Sequence, residues 1–256
     1  MPKRKSSNLH VVPSAQYEDD NRKPTTNNQC KIKIDDLITI GAMTETQGQF
    51  FSQYKSGATA MLLHGAAGTG KTFIALYKAL EEVLQPNSKY EKVVIVRSAV
   101  PSRDIGHLPG DQEEKTAVYM QPYIDMCTPL FPRKKNAFKR LMEQNVVEWM
   151  ITSFVRGITL DDAIIIVDEC QNMNDMELNS VLTRVGENSK LIMCGDFRQS
   201  DLYKRGDMSG LQKFMLIAED MKSFKILEFS SDDIVRSRFV REYILSRMRY
   251  EEQYGT

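Results

Sequence analysis

Residues 60–72 read Ala60-Met61-Leu62-Leu63-His64-Gly65-Ala66-Ala67-Gly68-Thr69-Gly70-Lys71-Thr72. A short apolar run ends at a glycine, and a glycine-rich stretch follows. Thr72 to Leu84 then places Ile74, Ala75, Ala79, Leu80, Val83 and Leu84 at helical spacing. From Gly65 to Thr72 the residues match G-x-x-x-x-G-K-[ST] in full, in the strand–loop–helix setting the motif requires. Glycines let the backbone bend so that successive N–H groups converge on phosphate oxygens. The following helix adds its positive N-terminal end. Lys71 brings a charge to the β- and γ-phosphates, and the Thr72 hydroxyl suits Mg²⁺. Gly65, Ala66, Ala67, Gly68, Thr69, Gly70, Lys71 and Thr72 are therefore expected to cradle a nucleoside triphosphate.

Working outward, four more apolar runs follow: Val93-Val94-Ile95-Val96, Ala163-Ile164-Ile165-Ile166-Val167, Lys190-Leu191-Ile192-Met193-Cys194 and Phe224-Lys225-Ile226-Leu227-Glu228-Phe229. Runs apolar at consecutive positions predict strands covered on both faces. Helical patterns lie at 112–128, 134–144, 174–185 and 208–220. Phe239, Val240, Tyr243, Ile244 and Met248 predict a last amphipathic helix. Alternating strands and helices predict an α/β fold with a mostly parallel sheet flanked by helices, as one P-loop domain over 34–256. No internal repeat interrupts it.

Ile164-Ile165-Ile166-Val167-Asp168-Glu169 sets two carboxylates at the carboxyl end of a buried strand, where ligands bind in open α/β sheets. Asp168 is expected to hold Mg²⁺, and Glu169 to polarise a water for attack on the γ-phosphate. Phosphate loop and Asp168 should face one another across neighbouring strand tips. Gly195-Asp196-Phe197-Arg198-Gln199 follows the next strand; Gln199 reads either as a contact to the γ-phosphate or attacking water, or as part of a polar turn. Two readings also stand for Thr44-Glu45-Thr46-Gln47. Gln47 could read an adenine edge, since an amide both donates and accepts. It could equally complete a capping box begun by Thr44. Late in the chain, Arg236 and Arg238 offer guanidinium groups for transition-state charge, or are surface residues.

Composition sets the outer limits. The chain has 256 residues, with 34 Lys+Arg against 34 Asp+Glu, so nucleic-acid binding would need a local patch rather than global basicity. Arg133-Lys134-Lys135-Asn136-Ala137-Phe138-Lys139-Arg140 is one candidate, with a solvated helix face as the competing reading. No apolar run approaches the ~18 residues of a membrane span, and the basic start lacks the apolar core of a secretory signal. Four cysteines with no C-x-x-C pair and three histidines argue against structural zinc or a disulfide scaffold. A cytoplasmic setting is expected. Residues 1–33 are expected to form a flexible arm: the stretch to residue 29 is too poor in apolar residues to offset its ordering entropy. It is either a solvated tail or a nucleic-acid contact through Lys3, Arg4 and Lys5.

These residues resemble the PhoH-like ATPase family, especially its short phage-encoded form. The matching pieces run in order from His64–Thr72 through Arg97-Ser98-Ala99-Val100-Pro101, Gly106-His107-Leu108-Pro109-Gly110-Asp111, Arg156-Gly157-Ile158-Thr159-Leu160 and Val167-Asp168-Glu169-Cys170-Gln171-Asn172. Leu182-Thr183-Arg184-Val185-Gly186, Gly195-Asp196-Phe197-Arg198-Gln199 and Asp233-Ile234-Val235-Arg236 complete the series. Cys170 stands where the family usually has alanine, a small-for-small change. The resemblance implies a RecA-like fold close to the first motor domain of superfamily-one helicases. It also implies binding and hydrolysis of ATP with Mg²⁺, and a link to single-stranded RNA or DNA. Relatives fused to a PIN nuclease domain are associated with RNA unwinding and cleavage; no such domain is recognisable here, and nuclease activity is not expected. A lone motor lobe leaves the γ-phosphate open on one side. The expected remedy is a homo-oligomer, a hexameric ring in which a neighbour supplies an arginine in trans, with Arg236 the leading candidate.

Overall fold

Apolar residues crowd the strand positions, β-branched ones above all in the runs 93–96 and 163–167, as burial on a pleated surface favours. In the computed structural model, which describes residues 31–98, 112–196 and 210–254, they form β1 (Ala60–Gly65), β2 (Lys92–Arg97), β4 (Ala163–Asp168), β5 (Lys190–Gly195) and β6 (Phe224–Phe229). A further strand, β3 (Val147–Ile151), lies at the edge. The described sheet has the order β3-β2-β4-β5-β1-β6 with every pair parallel. The α/β reading therefore holds, and the layout is that of a RecA-like P-loop domain.

Parallel neighbours need crossovers, and helices supply them. They are α1 (Glu45–Lys55), α2 (Lys71–Val83), α3 (Gln112–Leu130), α4 (Ala137–Glu143), α5 (Asp175–Leu182), α6 (Gly210–Ala218) and α7 (Arg238–Tyr254). Period-2 alternation splits the core in two. Met61, Leu63, Ile164, Ile166 and Ile192 face one side, with Phe50, Ile74, Leu80 and Phe138 from α1, α2 and α4. Leu62, Ile165, Val167, Leu191 and Met193 face the other, with Leu178 and Val181 of α5 and Leu211 and Phe214 of α6. Full burial of each such side chain contributes roughly 1.5–3 kcal/mol. This two-sided covering is why β1, β2, β4 and β5 are apolar at nearly every position; β6, at the sheet edge, is not covered on both faces as expected and leaves Lys225 and Glu228 exposed.

Strand β3 lacked that signal. Its sequence Val-Glu-Trp-Met-Ile is only half-covered, and Glu148 on it pairs with Lys92 of β2 at 2.8 Å. At the amino ends of the strands, the buried Lys190 ammonium lies over the Tyr54 ring at 3.5 Å and pairs with Glu82 at 3.2 Å. Burial pushes its pKa down and Glu82 pulls it back. The 133–140 run turns out to be the outside of α4 and its approach. Ala137 and Phe138 point inward, while Lys134 pairs with Asp36 at 3.1 Å. Helix α7 forms as expected, but none of its residues is buried and Phe239 is 78% exposed. No described helix is long and apolar enough to cross a membrane.

Candidate nucleotide site

The loop between β1 and α2 is shaped by its glycines. Gly65 has φ 114°, and a Cβ there would lie 2.1 Å from the Phe229 carbonyl oxygen, so only glycine fits. That carbonyl, at the end of β6, accepts the Ala66 N–H at 2.8 Å. Gly68 and Gly70 also take left-handed φ values of 75° and 80°, and Gly70 is the residue from which α2 starts. The buried Thr69 hydroxyl donates back to the Ala66 carbonyl at 3.0 Å. Lys71 reaches into the middle of the turn and donates to the carbonyls of Gly65 (2.9 Å) and Ala66 (2.7 Å). Burial lowers the Lys71 pKa, while Asp196 and Glu169 nearby act to raise it. Lys71 also donates to the Thr69 hydroxyl at 3.3 Å, so the ammonium is central, enclosed and held by neutral oxygens that a phosphate can displace.

The acidic strand end comes to this loop. The Thr72 hydroxyl donates to Asp168 Oδ1 at 2.7 Å, 96 residues along the chain. The strand tips are not neighbours, contrary to the sequence expectation, because β5 lies between β1 and β4. The loop resolves this: between Gly65 and Gly70 it leads past β5, so that the first turn of α2 sets Thr72 against Asp168. The other Asp168 oxygen accepts the Tyr123 hydroxyl of α3, also at 2.7 Å.

Glu169 follows directly, in a left-handed conformation (φ 52°, ψ 40°) that a non-glycine residue seldom adopts. Such outliers concentrate at functional sites. Gln171 donates to Glu169 Oε2 at 2.5 Å and accepts the Asp196 N–H at 3.0 Å, tying the carboxylate to the end of β5. Burial first, and then the charge of Asp168, raise the Glu169 pKa above the usual carboxylate value; Gln171, Arg97 and Lys71 oppose the rise. Arg97 owes its place to register, since it pairs with Asp168 across β2 and β4.

Gln47 sits on the far side of the loop. Thr44 caps α1 by accepting the Gln47 N–H at 3.3 Å, as read. The reciprocal half of the capping box differs: Gln47 Oε1 accepts the N–H of Met43 instead of Thr44, at 2.8 Å. The reason is its other end, for Nε2 donates to the Thr69 carbonyl at 3.0 Å and draws the side chain toward the loop. Gln47 is 2% exposed, and both ends of its amide are engaged by main chain. One amide hydrogen and one oxygen lone pair are left over from these two bonds.

Arg236 lies against its own chain's loop, its Cγ 3.0 Å from where a Gly68 Cβ would stand, and the Val235 N–H donates to the Gly68 carbonyl at 3.0 Å. Beside them opens a groove of about 1010 Å³ lined by Met43, Val235, Arg236, Arg238, Arg241 and Arg249, among others. Gln199, Lys3, Arg4 and Lys5 lie outside the described residues, as do the motif segments 99–111 and 197–198.

The structure thus brings Gly65–Thr72, Asp168, Glu169, Gln47 and Arg236 to one end of the sheet. Sequence reasoning missed three contributors: Tyr123, Gln171 as the clasp of Glu169, and Arg97. Tyr123 carries no local signal, being one apolar-face residue of a helix. Gln171 could have been found from its place two residues after the acidic pair. Among the described residues no three His, Cys, Asp or Glu side chains converge on a metal position. The donor pair of Thr72 and Asp168 suits Mg²⁺, which keeps several waters and takes its remaining ligands from phosphates.

Residues 39–247 match the profile of a family described as "PhoH-like protein". A PhoH-like protein of Mycobacterium tuberculosis (strain ATCC 25618 / H37Rv) is 36% identical over 189 residues, covering 73% of this chain and 52% of that one. A PhoH-like protein of Bacillus subtilis (strain 168) is 36% identical over 181 residues, covering 70% of this chain and 55% of that one. Protein PhoH of Escherichia coli (strain K12) is 34% identical over 203 residues, covering 79% and 56%. The chain spans about half the length of these curated relatives.

Proposed function

The chain belongs to the PhoH-like protein family, and on that premise we propose that it binds ATP with Mg²⁺ and hydrolyses it, coupling turnover to single-stranded RNA or DNA. The observation that carries this reading is the 2.7 Å contact between the Thr72 hydroxyl and Asp168, which joins a phosphate cradle to an acidic strand end. Neither motif alone makes a hydrolysis site; held together they supply both halves of one.

In this reading the amides of the loop and the N-terminus of α2 hold the β- and γ-phosphates, and Lys71 leaves the Gly65 and Ala66 carbonyls to pair with them. Magnesium, when bound through Thr72 and Asp168, neutralises developing charge on the phosphoryl oxygens. Glu169 accepts a hydrogen bond from the attacking water, and its raised pKa makes it a better proton acceptor than an ordinary carboxylate. Gln171 holds Glu169 in place, and Gln199 is the proposed further contact to the water or γ-phosphate. Arg236, already beside Gly68, steadies the loop side of the nucleotide, whose base and ribose extend toward the arginine-lined groove. Gln47 is the proposed reader of an adenine edge, through the amide hydrogen and lone pair that its bonds to Thr69 and Met43 leave over. Arg236, expected to act in trans, lies against its own chain's loop, so in a hexameric ring the exposed arginines of α7 are the ones proposed to reach a neighbouring copy.

One experiment separates this from a nucleotide-controlled binding switch. ATP turnover is measured with and without single-stranded RNA and DNA, alongside the mass in solution. We expect stimulation that declines with salt, log K falling about 0.7 per phosphate neutralised for each tenfold rise in salt, and assembly in the presence of an ATP analogue. Turnover indifferent to nucleic acid would remove the coupling and favour the switch; a monomer under all conditions would remove the ring.

A further inference from the structure

We infer that Tyr123 is a positioning residue for the Mg²⁺ site: it fixes the rotamer of Asp168 from the side opposite the nucleotide. The inference rests on the reading of Asp168 as the metal-side carboxylate. An aspartate at a strand tip has two free torsions and two equivalent oxygens, so nothing intrinsic aims it. Here each oxygen has one short hydroxyl donor, Thr72 on Oδ1 and Tyr123 on Oδ2, both at 2.7 Å. Hydrogen bonds to an ionised acceptor are about twice as strong as neutral ones.

The two donors differ in what nucleotide binding asks of them. The Thr72 hydroxyl is a metal ligand in this reading, and cannot go on serving as the fixed anchor of Asp168. Tyr123 has no such second task. It is fully buried, its ring stacks on Phe138 of α4 with centroids 6.1 Å apart and planes 19° apart, and it has only two side-chain torsions of its own. Helix α3 therefore presents a hydroxyl that stays where it is when Thr72 changes partner. Groups that orient a metal ligand typically contribute 10–100-fold to metal affinity.

The test is Mg²⁺ titrated into the full chain with a fluorescent ADP analogue, comparing the parent with Tyr123→Phe. Phenylalanine keeps the ring and its stack on Phe138 and removes only the hydroxyl. Binding of the analogue in EDTA should match the parent, while the Mg²⁺ concentration at the midpoint should rise about tenfold. In an Asp168→Asn background the same substitution should move the midpoint by less than about twofold, because Tyr123 acts through that carboxylate. Tyr123→Leu repeats the titration in case the first variant does not fold. An unchanged midpoint in Tyr123→Phe, or an equal shift in both backgrounds, overturns the inference while leaving the nucleotide site intact. Failure of the folded parent to bind the analogue with or without Mg²⁺ overturns the nucleotide reading itself, and this inference with it.

Discussion

Lys71→Ala is expected to abolish tight ATP binding and leave the fold standing. The ammonium is the only cation donating to the loop's interior among the described contacts, held by the Gly65 and Ala66 carbonyls at 2.9 and 2.7 Å. A charged hydrogen bond contributes about 1.5–3 kcal/mol, and at least two to phosphate oxygens are lost. An affinity loss of roughly a hundredfold or more follows. The fold should survive because the lysine opens α2 rather than packing in the core, and alanine is the best helix former. Calorimetric titration with MgATP measures the loss, and circular dichroism checks the fold. Affinity within about threefold of the parent would mean that the loop does not grip phosphates through this residue.

Glu169→Gln is expected to do the opposite: ATP stays bound and turnover falls by about 10²–10⁴-fold, the usual contribution of a positioned base. The substitution keeps shape, and a glutamine carbonyl still accepts from Gln171, so the cradle is spared. Equal phosphate release from variant and parent would end the assignment of Glu169. The same variant carries a stability signature. The Glu169 pKa is raised in the folded chain, chiefly by burial. The folded state therefore binds its proton more tightly than the unfolded state does. Ionising Glu169 costs stability at every pH above the raised value, and the cost vanishes as pH falls below the ordinary value of 4.5. Glutamine removes the charge, so Tm should exceed the parent's at neutral pH, with the gain shrinking as pH falls toward 4. A Tm difference independent of pH would remove burial as the cause.

What was legible in the sequence follows physical locality. The phosphate loop is contiguous, and its glycines, lysine and threonine each answer a local demand of backbone or charge. Strands β1, β2, β4 and β5 announce themselves because both faces are covered. Strand β3 does not, since an edge strand with Glu148 turned to Lys92 has no unbroken apolar run. The acidic pair was legible as a strand end, but its distance from the loop was not. Strand order is a tertiary property, and only the course of the loop before α2 shows how Thr72 reaches Asp168 past β5. Tyr123 lay beyond reach for the same reason, 45 residues from its partner on a helix whose pattern reads as plain packing. Gln47 shows a subtler limit: its spacing from Thr44 predicts a capping box, and the fold forms only half of it because the amide bonds Met43 and Thr69.

Whether Thr72 and Asp168 share one metal with the triphosphate is best asked of Mn²⁺ in place of Mg²⁺, by electron paramagnetic resonance of the protein with ATP. The expected result is a protein-bound Mn²⁺ signal that requires ATP and is held far more weakly in both Thr72→Ala and Asp168→Asn. Mn²⁺ held with ATP as tightly by those variants as by the parent would contradict the account.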